Sequence, residues 1–308
     1  MQTFPLATYS DVPYTDIATS GTTDAFLIRQ ANIVLSDTYY SRLYHKTMKT
    51  ATHQEAVDVL LAAGCIDDKV EERVSYSTDY MSASYELMKE RYDREEAVNP
   101  GIRKAVIIST GSYDPMHEGH IESVIRARDY IESTGKGKVI AGVMSASHDH
   151  YVRRKNPGGV PAEERIRDND AFLAASPHNK PEQWIFHDKW EALGYHVSTN
   201  FTDVIDHIAD MVKVHVHDDI DIYYVFGSDN ADFGMAFDHG EEGLAKGICV
   251  GRPGYELRPE MRERLKNSTT LFYTRGTNAM SSTQVRAMRK AQLEKEAVKL
   301  AVRQPALV

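Results

Sequence analysis

Residues 104–120 read KAVIISTGSYDPMHEGH, and this stretch decides the fold. The apolar, β-branched run at 105–108 is typical of a strand buried in a parallel sheet. The run breaks at Gly111, and a helical pattern begins after Gly119. A strand that ends at a glycine and leads into a helix presents free backbone N–H groups and a positive dipole end to an anion. The stretch therefore predicts a phosphate-binding turn between a strand and a helix.

Two histidines, His117 and His120, stand three residues apart at the predicted helix start. Both side chains can point toward the same phosphate. An isolated H-x-x-H pair more often caps a helix or lies exposed than binds a ligand. Here Gly111, the Asp114–Pro115 dipeptide and both histidines follow a buried strand in order, and this combination favours phosphate binding.

The stretch resembles the G-x-F-D-P-x-H-x-G-H signature of the HxGH nucleotidyltransferases, with Tyr113 where that family usually has phenylalanine. The resemblance implies that His117 and His120 are catalytic residues that bind the α- and β-phosphates of ATP. It also implies that a protonated His120 stabilises the transition state. Contacts to ATP or its phosphates are implied for Gly111, Ser112 and Tyr113.

A second informative run, NAMSSTQVR, occupies residues 278–286 and places three hydroxyl side chains at a helix start. Taken alone, an ordinary serine cap followed by a solvated arginine is the commoner interpretation. The run is similar, however, to the I-S-S-T-x-[IV]-R motif of the same nucleotidyltransferases, with Met280 replacing isoleucine. The resemblance implies a catalytic, phosphate-binding Arg286. Further phosphate contacts are implied for Asn278, Ser281, Ser282 and Thr283.

Two more segments resemble the nicotinamide/nicotinate mononucleotide adenylyltransferases within that superfamily. The run from Gly227 to Asp229, followed by Phe237, is similar to their G-x-D…W segment, and VGRPGY at 250–255 is similar to one of their strand ends. Other stretches look like the eukaryotic branch of these enzymes: 128–145, 149–155, 161–165 and 187–191. The resemblance covers roughly residues 102–290.

This resemblance implies adenylyl transfer from ATP, bound with Mg²⁺, to nicotinamide or nicotinate mononucleotide. The products would be NAD or its deamido form, and pyrophosphate. Gly227 and Asp229 would contact the adenosine. The implied mononucleotide contacts are Gly111, Ser112, Tyr151, Arg153, Trp190, Phe237 and Arg252. A second tryptophan of these enzymes is missing, and Tyr195 and Phe201 are both candidates to replace it.

Two other functions remain open at this point. One is an HxGH transferase for another phosphorylated acceptor, such as a phosphopantetheine adenylyltransferase or a cytidylyltransferase. The other is a dinucleotide-binding or chaperone-like protein without turnover.

From Lys104 onward the sequence alternates between strand and helix patterns. Later strands are predicted at 138–145, 184–187, 221–226, 247–251 and 270–273, and helices at 161–175, 201–211 and 281–302. Such alternation predicts an α/β fold: a Rossmann-like doubly wound parallel sheet, with ligands at the carboxyl ends of the strands. Residues 1–100 carry helical patterns without catalytic motifs. They are predicted to form a helical N-terminal extension of unknown role, and residues 101–308 the nucleotidyltransferase domain.

Bulk properties narrow the class of protein. A net charge of −9 and a pI of about 5.8 argue against a general nucleic-acid binder. The two cysteines, Cys65 and Cys249, suggest neither a disulfide framework nor a zinc site, and this fits a reducing compartment. The sequence shows no secretory signal and no apolar run of membrane-spanning length. We therefore expect a cytoplasmic protein, with a nuclear location left open, that has small-molecule partners, no nucleic-acid or membrane partner and no metal site of its own. A homo-oligomer is compatible with the sequence.

Overall fold

The computed structural model describes residues 70–180, 182–193, 201–237, 245–276 and 280–303. The helices predicted within residues 1–69, the candidate aromatic residue Tyr195 and the candidate phosphate contact Asn278 lie outside the described residues.

The chain divides into two compact units, residues 1–78 with 195–197, and residues 79–194 with 198–308. The strands that the structure describes all belong to the second unit. The predicted domain boundary at residue 100 stays a prediction.

The second unit is built on a six-stranded sheet with the strand order β3-β2-β1-β4-β5-β6, in which every neighbouring pair is parallel. The strands are β1 Lys104–Gly111, β2 Lys138–Ala146, β3 Ile185–Asp188, β4 Ile220–Gly227, β5 Lys246–Gly251 and β6 Leu271–Arg275. This order is that of the doubly wound dinucleotide-binding fold, and its direction of winding reverses between β1 and β4. The predicted fold class is confirmed, and the predicted strands lie within two residues of these bounds, apart from the first, which extends to Gly111.

Helices cover both faces of the sheet, as the alternating pattern predicts. They are α1 Val70–Val98, α2 Glu118–Ser133, α3 Asp149–Lys155, α4 Ala162–Ala175, α5 Trp190–Leu193, α6 Phe201–His215, α7 Pro259–Asn267 and α8 Ser282–Arg303, with a 3₁₀ helix at Ser228–Phe237. The buried residues of α2 recur every three or four positions and form the apolar stripe that packs on the sheet. None of the described helices has an apolar stretch that could cross a membrane.

Alternation along the central strand β1 assigns its side chains to two different layers. Ala105 and Ile107 are fully buried in a core that also contains Val124 of α2 and Ile166 of α4. Thr110, an even-numbered residue, bonds through its hydroxyl to a residue of the neighbouring strand β4 (2.6 Å). Contacts on both faces thus hold β1 as far as its carboxyl end, where the predicted phosphate turn begins.

The last turns of α1 pack within the second unit. Tyr85 stacks on His215 with ring centroids 5.4 Å apart, and Tyr92 stacks on His217 at 4.5 Å. Lys104, the first residue of β1, is 2 % exposed and forms an ion pair with Glu96 of α1. The carboxyl-terminal part of α1 therefore supports the amino end of the central strand.

Candidate active site

The turn after β1 is shaped by a tyrosine that folds back over a glycine. A Cβ atom at Gly111 would lie 2.9 Å from Cε1 of Tyr113, closer than real contacts of this kind. Tyr113 has a φ of 41°, is 2 % exposed and donates its hydroxyl to Ser109 (3.1 Å). Its ring meets His120 edge-on, with centroids 4.9 Å apart. The Tyr113 side chain therefore lies in the core against His120, and the implied contact of this residue with ATP stays a prediction.

The two histidines form the start of α2 together. His117 is the N-cap residue, and its Nδ1 accepts a hydrogen bond from the N–H of Gly119 (3.1 Å). Nδ1 of His120 accepts one from the N–H of His117 (3.2 Å), and the two rings stack with centroids 3.8 Å apart. Because both Nδ1 atoms are acceptors, each neutral ring carries its proton on Nε2. Nε2 of His117 is buried and has no hydrogen-bond partner in the described part of the chain.

The surroundings of these rings disfavour the imidazolium form. Burial, together with the positive charge of Arg252, lowers the pKa of His117 to about 4. Burial also lowers the pKa of His120 well below its ordinary value, with contributions from His117, Arg252 and Lys155. These shifts favour the neutral form of both rings, and the protonated His120 that the resemblance implies for the transition state stays a prediction. Both rings thus present Nε2–H donors.

The predicted second phosphate element begins at a capping box. Ser281 accepts a hydrogen bond from the N–H of Gln284 through its Oγ (3.3 Å), and the Gln284 side chain accepts one from the N–H of Ser281 (2.8 Å). These reciprocal bonds hold the first turn of α8, from which Thr283 and Arg286 project.

Side chains of α8 reach directly to the turn after β1. Ser282 donates its hydroxyl to the carbonyl of Pro115 (3.2 Å), although the two residues are 167 positions apart. Arg286 donates to the carbonyl of Asp114, lies 3.7 Å from the carboxylate of that residue, and donates to Oγ1 of Thr283 (3.2 Å). The two predicted phosphate elements therefore form one site.

Arg252 joins a third segment to this site. Its guanidinium donates to Oδ2 of Asp229 (2.6 Å), in the turn after β4, and to the carbonyl of Met280 (2.7 Å), just before α8. A Cβ atom at Gly227 would lie 3.1 Å from Cδ of Arg252 and would collide with the carboxylate of Asp229. Arg252 was expected to contact the mononucleotide, but the structure places it beside Gly227, Asp229 and the start of α8, which are the predicted ATP contacts.

Two basic residues of α3, Arg153 and Lys155, make different contacts. Arg153 is exposed and forms an ion pair with Asp149 one turn earlier (3.3 Å). Lys155 lies with its ammonium 6.0 Å from the centroid of the Tyr151 ring, and its charge contributes to the lowered pKa of His120. Lys155 of α3 therefore acts on His120, and the implied contact of Arg153 with the mononucleotide stays a prediction.

One of the predicted nicotinamide contacts is a buried tryptophan. Trp190 is 2 % exposed and stacks on His207 with centroids 4.2 Å apart, so one face of its indole is already covered. Its Nε1–H is buried and has no hydrogen-bond partner among the described residues. Phe201, the alternative aromatic candidate, is partly exposed and stacks on Phe233 (4.5 Å) and Tyr224 (5.2 Å).

Phe237 is not placed at the carboxyl edge of the sheet. A Cβ atom at Gly247 would lie 2.8 Å from its ring, which locates the ring beside the amino end of β5. The site adjoins Gly251, four residues further along, a distance of about 13 Å in a strand. Phe237 is 6 % exposed and stacks within an aromatic cluster on Tyr224 and Phe226. The 3₁₀ helix thus carries Phe237 into the core, and its predicted stacking on a nicotinamide ring stays a prediction.

A buried arginine that the sequence interpretation did not select holds the loops around the site. Arg165 of α4 is 2 % exposed and donates to the carbonyls of Ser112 (2.7 Å), Ser147 (2.7 Å) and Val160 (2.9 Å). It also donates to Asp149 at the start of α3 (3.0 Å). An arginine on the apolar face of a predicted helix is the sequence signal that identifies such a residue, because buried arginines need several hydrogen-bond acceptors.

The described residues contain no cluster of three or more His, Cys, Asp or Glu side chains that could hold a metal ion. Both histidine Nδ1 atoms are engaged by backbone N–H groups. The site therefore offers hydrogen-bond donors and cations, which are suited to an anion.

Comparison with known proteins finds similarity in the part of the chain that contains this site. A family model described as cytidylyltransferase-like matches residues 108–288. Nicotinamide/nicotinic acid mononucleotide adenylyltransferase 2 is 32 % identical in Danio rerio and 34 % in Xenopus tropicalis, over 108 residues. Each match covers 35 % of this chain and 32 % of the relative, so the chain matches about a third of the length of these curated relatives.

A solved structure of Plasmodium falciparum nicotinic acid mononucleotide adenylyltransferase, complexed with APC, is 14 % identical with a TM-score of 0.44. The match covers 60 % of this chain and 83 % of that chain. The cytidylyltransferase-like model spans more than half of the 308 residues and includes both helix starts of the site. The chain therefore belongs to the cytidylyltransferase-like family.

Proposed function

We propose that this protein transfers the adenylyl group of ATP to nicotinamide or nicotinate mononucleotide and releases pyrophosphate. The observation that carries this proposal is the contact of Ser282 and Arg286 with the turn after β1, which unites two helix starts around one anion site. The names of the relatives that match this chain support the choice of acceptor.

ATP would bind with its phosphates between the starts of α2 and α8, where free N–H groups and two helix dipoles favour negative charge. His117 and His120 would donate from Nε2 to the α- and β-phosphates. A bound polyanion raises the pKa of a neighbouring imidazole, so it would oppose the effect of burial and increase the positive charge on His120. Thr283 and Arg286 would hold the departing pyrophosphate.

The 5′-phosphate of the mononucleotide would attack the α-phosphorus of ATP in line with the leaving group. A new oxygen–phosphorus bond forms, the bond from the α-phosphorus to the bridging oxygen breaks, and the electron pair leaves with pyrophosphate. The attacking phosphate is already ionised near neutral pH, so no general base is required, and catalysis consists of positioning and charge stabilisation. Mg²⁺ would arrive bound to the ATP phosphates and neutralise part of their charge.

The acceptor phosphate would lie near Gly111 and Ser112, where Arg165 holds the backbone in place. Lys155 and Arg153 would supply positive charge from α3. The nicotinamide ring would pack near Tyr151 and the exposed side of the aromatic residues around Trp190. The buried Nε1–H of Trp190 supports this placement, because it is a donor that lacks a partner in the described residues.

A second candidate is adenylyl or cytidylyl transfer to another phosphorylated acceptor. The position of Phe237 favours it, since one of the aromatic residues expected to recognise nicotinamide is absent from the edge of the site. The two candidates share the nucleotide chemistry of the paired helix starts and differ only in the acceptor.

The discriminating experiment incubates the purified full-length chain with Mg²⁺ and ATP or CTP. Nicotinamide mononucleotide, nicotinate mononucleotide and phosphopantetheine are offered separately, and pyrophosphate release is measured. We expect release only with ATP and a pyridine mononucleotide, accompanied by the dinucleotide. Release with phosphopantetheine as the acceptor, or with CTP but not with ATP, would establish the second candidate. Dinucleotide binding without pyrophosphate release from any acceptor would show a binding protein.

The proposal extends to the cellular compartment, the partners and the assembly of the protein. A net charge of −9 and the free, buried Cys249 are compatible with a reducing compartment such as the cytoplasm and with small-molecule partners. Assembly into a homo-oligomer is compatible with the sequence and is tested by light scattering.

A further inference from the structure

Arg252 connects two walls of the site that are far apart in the chain. One nitrogen of its guanidinium donates to Asp229 in the turn after β4, and the other donates to the carbonyl of Met280 before α8. Its side chain is 21 % exposed, and both hydrogen bonds lie at the surface of the site. A planar guanidinium with several fixed donors can make both bonds at once, whereas an ammonium group is a single point charge.

The partner carboxylate stands where a triphosphate would be repelled. Asp229 lies next to Gly227, on the side of the site that faces the start of α8. Its Oδ2 is taken by Arg252, and this ion pair cancels its charge. An unpaired carboxylate beside a polyanion would weaken binding, because like charges close together are unfavourable.

The backbone before Arg252 is held so that the guanidinium keeps this direction. Its N–H donates to Oγ of Ser228 (2.8 Å), and that hydroxyl donates to the carbonyl of Tyr255 (3.0 Å). The intervening Pro253–Gly254 pair forms a tight turn, in which Gly254 has a φ of 84° and the N–H of Tyr255 donates to the carbonyl of Arg252 (3.0 Å).

We infer that Arg252 is a positioning residue that ties the turn after β4 to the start of α8 and neutralises Asp229, so that a nucleoside triphosphate can bind between them. The inference rests on the proposed function, since it assumes a triphosphate at the paired helix starts. Arg252 also acts on His117 and His120 through its charge. His120 is also affected by His117 and by Lys155 of α3, and its ring contacts Tyr113 of the turn after β1.

The test compares Arg252→Ala and Arg252→Lys with Arg258→Ala. Arg258 forms an ion pair with Asp232, which lies in the same 3₁₀ helix as Asp229. Both side chains of this pair are about two-thirds exposed, so this variant removes an arginine outside the site. ATP affinity is measured by calorimetry without an acceptor, and circular dichroism confirms the fold. The titration of His117 and His120 is followed by NMR.

Arg252→Ala should weaken ATP binding about tenfold or more, because two hydrogen bonds of a charged group are lost. It should also raise the pKa of His117, since a nearby positive charge is removed. Arg252→Lys should keep most of the effect on the imidazoles but not restore ATP affinity, because lysine keeps the charge without the double hydrogen bond. Arg258→Ala should change neither property.

A second variant distinguishes repulsion by the Asp229 carboxylate from unfolding as the cause of weaker ATP binding. Asp229→Asn, introduced into the Arg252→Ala protein, should recover part of the lost ATP affinity, because the unpaired carboxylate is gone. The inference is overturned if Arg252→Ala binds ATP as tightly as Arg258→Ala, or if Arg252→Lys restores full affinity. All of these measurements omit the acceptor, so a protein that binds ATP without transferring its adenylyl group would refute the proposed function alone.

Discussion

His117 should make the stability of this protein depend on pH. The ring is 5 % exposed, and its pKa is lowered from an ordinary value of 6.5 to about 4, by burial first and by Arg252 second. The unfolded chain therefore binds a proton more readily than the folded protein as the pH falls. The contribution is fully present above pH 6.5 and is lost between that pH and about pH 4. The difference between the two pKa values corresponds to about 3 kcal/mol of unfolding free energy.

The informative substitution is His117→Asn, because asparagine also caps helices but does not titrate. Urea denaturation is measured at pH 7 and at pH 4 for both proteins. We expect the wild-type protein to lose about 3 kcal/mol more than the variant over this interval. His117→Ala serves as the control for capping: it should cost about 1 kcal/mol at pH 7 and show the same reduced pH dependence.

The result that refutes this reasoning is an equal loss of stability in the wild-type protein and in His117→Asn. Titrating groups remote from His117 contribute equally to both proteins and cancel in the comparison, whereas His120 does not, because His117 contributes to its lowered pKa. An equal loss would mean that the imidazole is protonated in the folded state and that its burial does not control the pKa.

Four further substitutions test the rest of the site. His120→Ala should lower kcat by about 10²–10³ while the circular dichroism spectrum is unchanged, because a donor to the transition state is removed. Ser282→Ala should raise the KM for ATP and lower the unfolding free energy by about 1 kcal/mol, since it removes the bond to the turn after β1. Phe237→Leu should lower stability by about 1 kcal/mol in thermal unfolding and leave the KM for the mononucleotide unchanged; a large KM effect would contradict its position in the core. Arg165→Met should cost about 3 kcal/mol in denaturant titration, because three carbonyls lose their donor, and wild-type stability would contradict that role.

The parts of the fold that could be predicted from sequence are those with local causes. The run at 105–108 is apolar and β-branched, and Gly111 ends it, so both the strand and the turn follow from neighbouring residues. The meeting of α2 and α8 was implied by the resemblance, which assigns both helix starts to one nucleotide. The hydroxyl of Ser282 on the carbonyl of Pro115 agrees with it.

The parts that could not be predicted depend on where a chain segment travels after it leaves the sheet. Phe237 follows a strand end that does lie at the site, but ten residues of 3₁₀ helix return it to the core. Arg252 was placed at the correct edge by its strand, yet nothing in its own neighbourhood shows that it faces Asp229 and Met280. Tyr113 was assigned by position in a motif, although its positive φ turns the side chain inward. For Phe237 and Arg252 the direction of the side chain is decided by contacts with residues distant in the sequence.

The bond between Ser282 and Pro115 has a consequence for the way this protein is made. One half of the nucleotide cradle is synthesised early and the other 167 residues later, near the end of the described chain. A nascent polypeptide on the ribosome would carry its histidines in place long before it had anything with which to hold the leaving group. Under the proposed function, adenylyl transfer would therefore become possible only after α8 had emerged and docked on the turn after β1.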